Sequence, residues 1–403
     1  MRPQLRGLRS TEQRTAGPPD PELRVALFTG NYNYIKDGVA LTLNRLVAFL
    51  ESRGVPVLVF APVAKEPAFE SVGDVVPLPS MAIPARSEYR VALGLSKSAR
   101  ERLEAFRPTL LHIAVPDLAA RKALAWAEQN NVPVVASYHT RYDTYLRFYG
   151  LGLLEKLGQG YMRRFYSRVR RVYPPSQSMA DILRSEGQTR VEIWARGVDS
   201  DLFSPARRDM AWRRSLHIAD DEVAVSFAGR LVKEKNTAIY TRVMNALTTK
   251  GFKVKPLVIG DGPEMATMKA SLRNGVFMGF LGGEDLARAY ASSDIFFFPS
   301  ESETFGNVTL EAMASGLPAV NAIASGSNSL VEEGVTGHLV SARDEAGFAA
   351  RIEALAADEG LRRRMGGAAR ARAHTFSWEA ILSGLLASYG QVLREAHADQ
   401  HQD

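Results

Sequence analysis

The sequence predicts an α/β protein made of two Rossmann-like lobes, each wound around a parallel sheet. Three observations carry this reading. Short apolar runs alternate with helical patterns along the chain. Its 403 residues exceed what one small core accommodates and suit two lobes. With 46% hydrophobic and 23% charged residues, the composition is that of an ordinary globular protein.

Residues 1–23, rich in Arg, Pro and polar side chains, read as a disordered tail. Leu23–Gly30 (LRVALFTG) reads as a buried strand ending in glycine, followed by the polar loop NYNYIKDG and a helical pattern from Val39 to Arg53. Val55–Ala61, Leu110–Ala114 and Val132–Ser137 continue the strands, with a helix from Asp117. These make a first domain over 24–198. The stretch Gly197–Pro205 reads as a connector. A second series over 199–376 has strands at Val223–Ala228, Val254–Ile259, Asp294–Pro299 and Pro318–Asn321. Residues 377–403 form a last helix and tail; Trp378, Ile381, Leu385, Leu386, Tyr389 and Val392 fall largely on one face of it.

Composition narrows the function. With no cysteine, neither a disulfide framework nor a thiolate zinc site can form. The opening MRPQLRGLRS lacks the apolar run of a signal peptide. Apolar stretches such as Val55–Ala64 fall short of the ~20 residues that span a bilayer, so a soluble or peripheral protein is expected. The net charge of +6 admits nucleic acid, an acidic membrane or a phosphorylated ligand.

In open α/β sheets, ligands bind beyond the carboxyl ends of the strands, and four loops there stand out. GRLVKEKN follows Val223–Ala228; Arg230 offers a planar fork of donors and Lys235 a point charge, together suited to a diphosphate. A solvated basic turn is the competing reading. In ETFGNVTLE, Glu303 sits in a loop and Glu311 one turn into a helix that starts near Gly306–Asn307. That helix start exposes free N–H groups and the positive end of a dipole, which is an anion site. Flanking carboxylates there can grip sugar hydroxyls, or else serve as surface residues and caps. Gly260-Asp261-Gly262-Pro263 forms a turn able to face a nucleotide base, although turn chemistry alone explains it. His139, after Val132–Ala136, faces a ligand or serves as a hydrogen-bonded structural histidine. The chain has no G-x-S-x-G elbow and no G-x-x-x-x-G-K-[ST] phosphate loop, and Gly30–Gly38 is not a G-x-G-x-x-G fingerprint. No histidine and carboxylate cluster has metal-ligand spacing.

The runs GRLVKEKN, GDGPE and FPSESETFGNVTLEAMASGLP resemble the retaining glycosyltransferases of family 4, whose fold is GT-B. Glu303 and Glu311, with seven residues between, match that family's donor-site signature. DGVALTLNRL, SEYRVAL, FRPTLLHIAVPDL, SYHTRYDTYLRFYGLGLLE and ARGVDSDLF extend the likeness over about residues 24–395. They point to the subgroup of GDP-mannose-dependent α-mannosyltransferases and bacterial sulfolipid-type synthases, which glycosylate membrane lipids. The resemblance implies two lobes facing across a cleft, with the C-terminal helix crossing back to the first.

It also implies roles. Arg230 and Lys235 hold the diphosphate of a UDP- or GDP-sugar, Glu303 the transferred sugar and Glu311 the ribose. Gly260, Asp261 and Gly262 lie by the base, and the backbone of Phe305, Gly306, Asn307 and Val308 supports phosphate and sugar. Gly38 lets a first-lobe helix approach the diphosphate, and His139 sits near the reacting sugar. No metal or other cofactor is implied. Retention follows from front-face displacement, the leaving phosphate taking the acceptor's proton. The loop Ala322–Asn328 departs from the more usual glycine-rich version, which leaves donor sugar choice open.

For the acceptor, Tyr161–Tyr173 (YMRRFYSRVRRVY) has an apolar helical face, with Arg163, Arg164, Arg168, Arg170 and Arg171 mainly elsewhere. Such a helix lies on an anionic membrane, or else in a core with a solvated basic face. Arg2, Arg6, Arg9 and Arg14 in the tail add charge. A membrane lipid acceptor is expected, with a cytoplasmic enzyme peripheral to the inner membrane. A GT-B epimerase is the main alternative, and an acceptor that is a soluble glycan or small molecule is another. Nucleic-acid binding is disfavoured because carboxylates repel phosphate backbones. No protein partner is implied.

Overall fold

A computed structural model describes residues 20, 22–35, 37–83, 86–138 and 152–400. The tail arginines Arg2, Arg6, Arg9 and Arg14, and His139, lie outside the described residues.

The chain divides into two compact units. The first holds the chain up to Ser137, together with Arg164–Val172 and the C-terminal stretch from Glu379. Its strands are β1 (Val25–Phe28), β2 (Val57–Ala61), β3 (Asp74–Pro77), β6 (Leu110–Ile113), β7 (Val134–Ser137) and β8 (Arg171–Tyr173), in the order β3-β2-β1-β6-β7-β8. The pairs β1–β2, β2–β3, β1–β6 and β6–β7 run parallel. An antiparallel hairpin, β4 (Ser80–Ile83) with β5 (Arg86–Ala92), lies apart from this sheet. Helices α1 (Gly38–Ser52), α2 (Lys97–Phe106) and α3 (Leu118–Gln129) connect the strands. The last helix of the chain, Trp378–Gln400, belongs to this unit from Glu379 on. Its Tyr389 hydroxyl meets Nδ1 of the buried His112 at 2.5 Å, and His112 Nε2 meets Ser137 Oγ at 3.0 Å.

The second unit has strands β9 (Val223–Ala228), β10 (Val254–Ile259), β11 (Val276–Phe277), β12 (Ile295–Phe298), β13 (Ala319–Ala322) and β14 (Gly337–Val340). All five neighbouring pairs are parallel, in the order β11-β10-β9-β12-β13-β14. Helices cover both faces, so the strands are near-continuous apolar runs rather than alternating ones. In β12, Ile295, Phe296, Phe297 and Phe298 are all buried, each such side chain contributing roughly 1.5–3 kcal/mol. Tyr240 stacks on Phe297 at 5.3 Å, and Phe297 meets Phe348 at 5.0 Å.

Tyr173–Trp378 packs with this second unit. Helix α4 (Gly152–Tyr166), which passes from the second unit to the first after Arg163, and α5 (Gln177–Ser185) of the second unit precede α6 (Met210–Ser215). Val198 N–H donates to Phe376 C=O at 2.9 Å. Gly197 sits so close to Trp378 that a Cβ would lie 2.6 Å from the indole.

At the amino ends of its strands, the second unit is held by a buried charge cluster. Arg213, 1% exposed, donates to Asp294 Oδ2 at 2.9 Å and to the carbonyls of Ser292 and Glu222. Asp294 also accepts from Arg208 at 2.7 Å and from Ala224 N–H at 2.7 Å. Removing one partner of such a pair leaves the other charge buried. Asp294→Ala is therefore expected to destabilise this unit by about 3 kcal/mol, read as a lower urea midpoint.

Candidate functional site

In the second sheet the chain steps outward from β9 through β10 to β11, then returns to the other side for β12, β13 and β14. β9 and β12 are neighbours whose following loops diverge, the crevice where open α/β sheets bind ligands. The two segments expected to carry phosphate and sugar chemistry, 229–236 and 303–311, follow these two strands.

The β9 loop ends in a single 3-10 turn, Lys233–Lys235, and Asn236 in the left-handed conformation before α7 (Thr237–Thr249). Asn236 Nδ2 donates to Pro299 C=O at 2.9 Å, tying this loop to the β12 loop. Lys235 Nζ pairs with Glu303 Oε1 and lies 3.3 Å from Ser302 Oγ. Ser300 Oγ donates to the same Glu303 oxygen at 3.1 Å. Both members of the pair are largely withdrawn from water, at 21% and 14% side-chain exposure, so the attraction is screened less than at the surface. Arg230 is exposed on the same loop.

The GDGP turn after β10 has a firm structural role. Leu231 N–H donates to Asp261 C=O at 2.9 Å, and Glu264 N–H to Leu231 C=O at 3.0 Å. Gly260 has φ +132°, and a Cβ there would lie 1.8 Å from Gly229 O; at Gly262 it would lie 2.4 Å from Leu231 O. Glycine is therefore required for the turn to press against the β9 loop. The Asp261 side chain is spent within the turn, on Gly262 N–H at 2.7 Å.

Beyond Glu303, Phe305 is buried and Gly306 turns the chain at φ +99° into α10 (Asn307–Ala314). No side chain caps α10. The same is true of α7, α8 (Met265–Ser271), α9 (Gly283–Ala291) and α11 (Ser325–Leu330), which follow β9, β10, β11 and β13. In the first unit the helices are capped: Asp37 accepts from Val39 and Ala40 N–H of α1, Ser96 from Ala99 of α2, and Asp117 from Ala120 of α3. The helix starts after the second sheet's strands thus lack side-chain caps, and the start of α10 offers its amides and positive dipole end beside Glu303, while α1, α2 and α3 of the first unit are closed by their own side chains. Gly38 opens α1, but the adjacent Asp37 carboxylate already occupies two of its amides. Burial pushes the Asp117 carboxyl up to about 6 against the pull of its amide bonds. No sequence pattern marked that group.

Glu311 lies in α10, with Tyr290 OH 3.5 Å from Oε2. Burial, then the Glu311 charge, pushes the Tyr290 phenol well above its usual range, so it stays a neutral donor beneath the carboxylate. Among the described residues no group of His, Asp and Glu is placed to hold a metal ion.

The basic segment is a different matter. Phe165, Tyr166, Val169 and Tyr173 are buried, so of the two expected readings of the apolar face these four residues follow the core one. Arg168 donates to Glu128 at 2.8 Å, Arg170 pairs with Asp399, and Arg171 grips Glu395 at 2.9 and 3.0 Å. Their charge goes into bracing the first unit, because carboxylates far away in sequence fold against them. Arg163 and Arg164 are exposed. Among the described residues no helix is long and apolar enough to cross a membrane.

Known proteins resemble this chain in sequence and in fold. The profile of Glycosyltransferase Family 4 matches residues 36–202, and that of Glycosyl transferases group 1 matches 222–358. A GDP-mannose-dependent alpha-mannosyltransferase of Corynebacterium glutamicum is 30% identical over 379 residues, covering 92% of this chain and 89% of that protein. An alpha-monoglucosyldiacylglycerol synthase of Streptococcus pneumoniae is 26% identical, covering 74% and 70%. The solved sucrose-phosphate synthase of Thermosynechococcus elongatus superposes with a TM-score of 0.74 at 20% identity, covering 94% of this chain and 100% of that one.

The pairing of Lys235 with Glu303 implies internal competition, since a phosphate must share or take the lysine. Glu303→Gln releases it. The variant is expected to bind UDP or GDP about fivefold more tightly in calorimetric titration, the equivalent of about 1 kcal/mol. Unchanged or weaker binding would mean that the carboxylate does not oppose the phosphate.

Proposed function

Because the chain belongs to glycosyltransferase family 4, we propose that it moves a hexose from a UDP- or GDP-sugar to a membrane lipid with retention at the anomeric carbon. It is a glycosyltransferase of two parallel-sheet units that uses a nucleotide sugar. The donor, the stereochemistry and the acceptor are the proposed part. One observation carries the reading most: across the crevice between β9 and β12, a cation on one loop closes on a carboxylate on the other, beside an uncapped helix start.

The chemistry follows from those groups. A diphosphate settles against the open amides of α10, with Arg230 and Lys235 neutralising its charge. Displaced from Lys235, Glu303 accepts from hydroxyls of the transferred sugar. Glu311, held by Tyr290, accepts from the ribose. The C1–O bond to phosphate breaks as the acceptor oxygen bonds to C1 on the same face. The acceptor's proton passes to the departing phosphate oxygen, so no enzymic nucleophile is needed. Charge gathers on the diphosphate in the transition state, where fixed donors act most strongly, so the reaction is proposed to need no metal.

The name of the Corynebacterium relative supports GDP-mannose as the first donor to try, and that of the Streptococcus relative supports a diacylglycerol lipid as acceptor. With the apolar side of the arginine helix inside the core, support for a lipid comes from such relatives rather than from that segment.

The test is transfer by purified protein in EDTA, with UDP- and GDP-sugars and extracted lipids. A new glycolipid and released nucleoside diphosphate are expected, with Arg230→Ala lowering kcat about 100-fold. Donor binding without lipid product would move the acceptor to a soluble glycan or small molecule. Conversion of the donor without an acceptor would favour an epimerase.

A further inference from the structure

Ser176 lies in the segment that joins the second unit ahead of its sheet. It is 2% exposed and its hydroxyl makes two bonds. It accepts from Met179 N–H at 3.4 Å, capping α5, and it donates to Thr304 C=O at 3.0 Å. Thr304 is the residue after Glu303. On the other side, Gly326 N–H of α11 donates to Glu303 C=O at 2.9 Å. Gly326 also sits so close that a Cβ would fall 2.3 Å from Phe305 O. The two carbonyls that follow the Glu303 and Thr304 α-carbons are thus held by two different elements.

We propose that Ser176 is a positioning residue for sugar transfer: its hydroxyl fixes the Thr304 carbonyl and so aims the Glu303 carboxylate at the donor sugar. This rests on the reading of Glu303 as the group that contacts that sugar. A loop residue before a helix keeps its aim only if its peptide planes cannot rotate. The Thr304 carbonyl lies outside the intrahelical ladder of α10, and a buried hydroxyl supplies its donor. Displacement of a contact by about 1 Å is enough to cost on the order of 100-fold in rate. The bonds to Lys235 and Ser300 hold the end of the side chain. Ser176 and Gly326 hold its root.

A cap alone also accounts for a buried serine at a helix start, and substitutions separate the two roles. Glycine caps a helix nearly as well as serine, so Ser176→Gly keeps α5 but removes the donor to Thr304, while Ser176→Thr keeps both. Three quantities are read: thermal midpoint, Kd for the free nucleoside diphosphate, and kcat with KM for the nucleotide sugar. For Ser176→Gly, the midpoint is expected to fall modestly with the lost buried bond, and the diphosphate Kd to stay at the wild-type value, because the β9 loop is untouched. Its kcat is expected to fall about 10- to 100-fold, and the extra affinity of nucleotide sugar over nucleoside diphosphate to shrink. Ser176→Thr is expected to restore both. A Ser176→Gly enzyme with wild-type kcat would overturn the proposal. So would one that loses midpoint, diphosphate affinity and kcat together, since the serine would then be scaffold only. Wild-type protein that binds nucleoside diphosphate but gains nothing from the sugar would remove the role of Glu303 and the proposal with it. Wild-type protein that binds no nucleotide at all would instead strike the donor site as a whole.

Discussion

The constraint on which the second unit turns is the meeting of Lys235 and Glu303 at the ends of two strands adjacent in space and seventy residues apart in the chain. Such a meeting requires the sheet to be wound outward and back, so that β9 and β12 become neighbours. It requires the β9 loop to be pressed down by the GDGP turn, which only glycine permits at two positions. It requires Asn236 to leave the turn in a left-handed conformation and bond across to Pro299. Each of these local choices fits the same end, as expected of a sequence whose levels agree.

Two sheets of one topology differ in how the helices after their strands begin. Aspartate and serine close the helix starts in the first unit, and none closes the five that follow β9 to β13 in the second. Shared winding alone says nothing about which unit takes a phosphorylated ligand. The distribution of short polar residues ahead of the helices that follow the strands is where the two units differ.

Much of this was legible in the sequence. Strands β9 and β10 fall where the apolar runs placed them, and β1, β2, β6, β7, β12 and β13 within a few residues, because a strand covered on both faces must be apolar throughout. The pieces passed over were edge or hairpin strands such as DVVP, RVY and RSEYRVA, short or mixed in polarity. The places of Arg230, Lys235 and Glu303 in loops after strands, and of Glu311 in the helix that follows, are also legible. The partner of Ser176 was not, because a serine before QSMADIL signals only a helix start, and its second bond spans 128 residues. The partners of Arg168, Arg170 and Arg171 are illegible for the same reason: Glu128, Glu395 and Asp399 are remote in the chain.

The pairing of Val198 with Phe376 gives the second unit a further property. Its main body begins and ends on one hydrogen bond, with Gly197 wedged against Trp378 beside it. A body whose two ends meet is topologically a cassette. Evolution can exchange or duplicate it by recombination at a single seam without stretching either splice. The second unit is in this sense a module closed on itself, and its loops can vary in length and sequence without moving that seam.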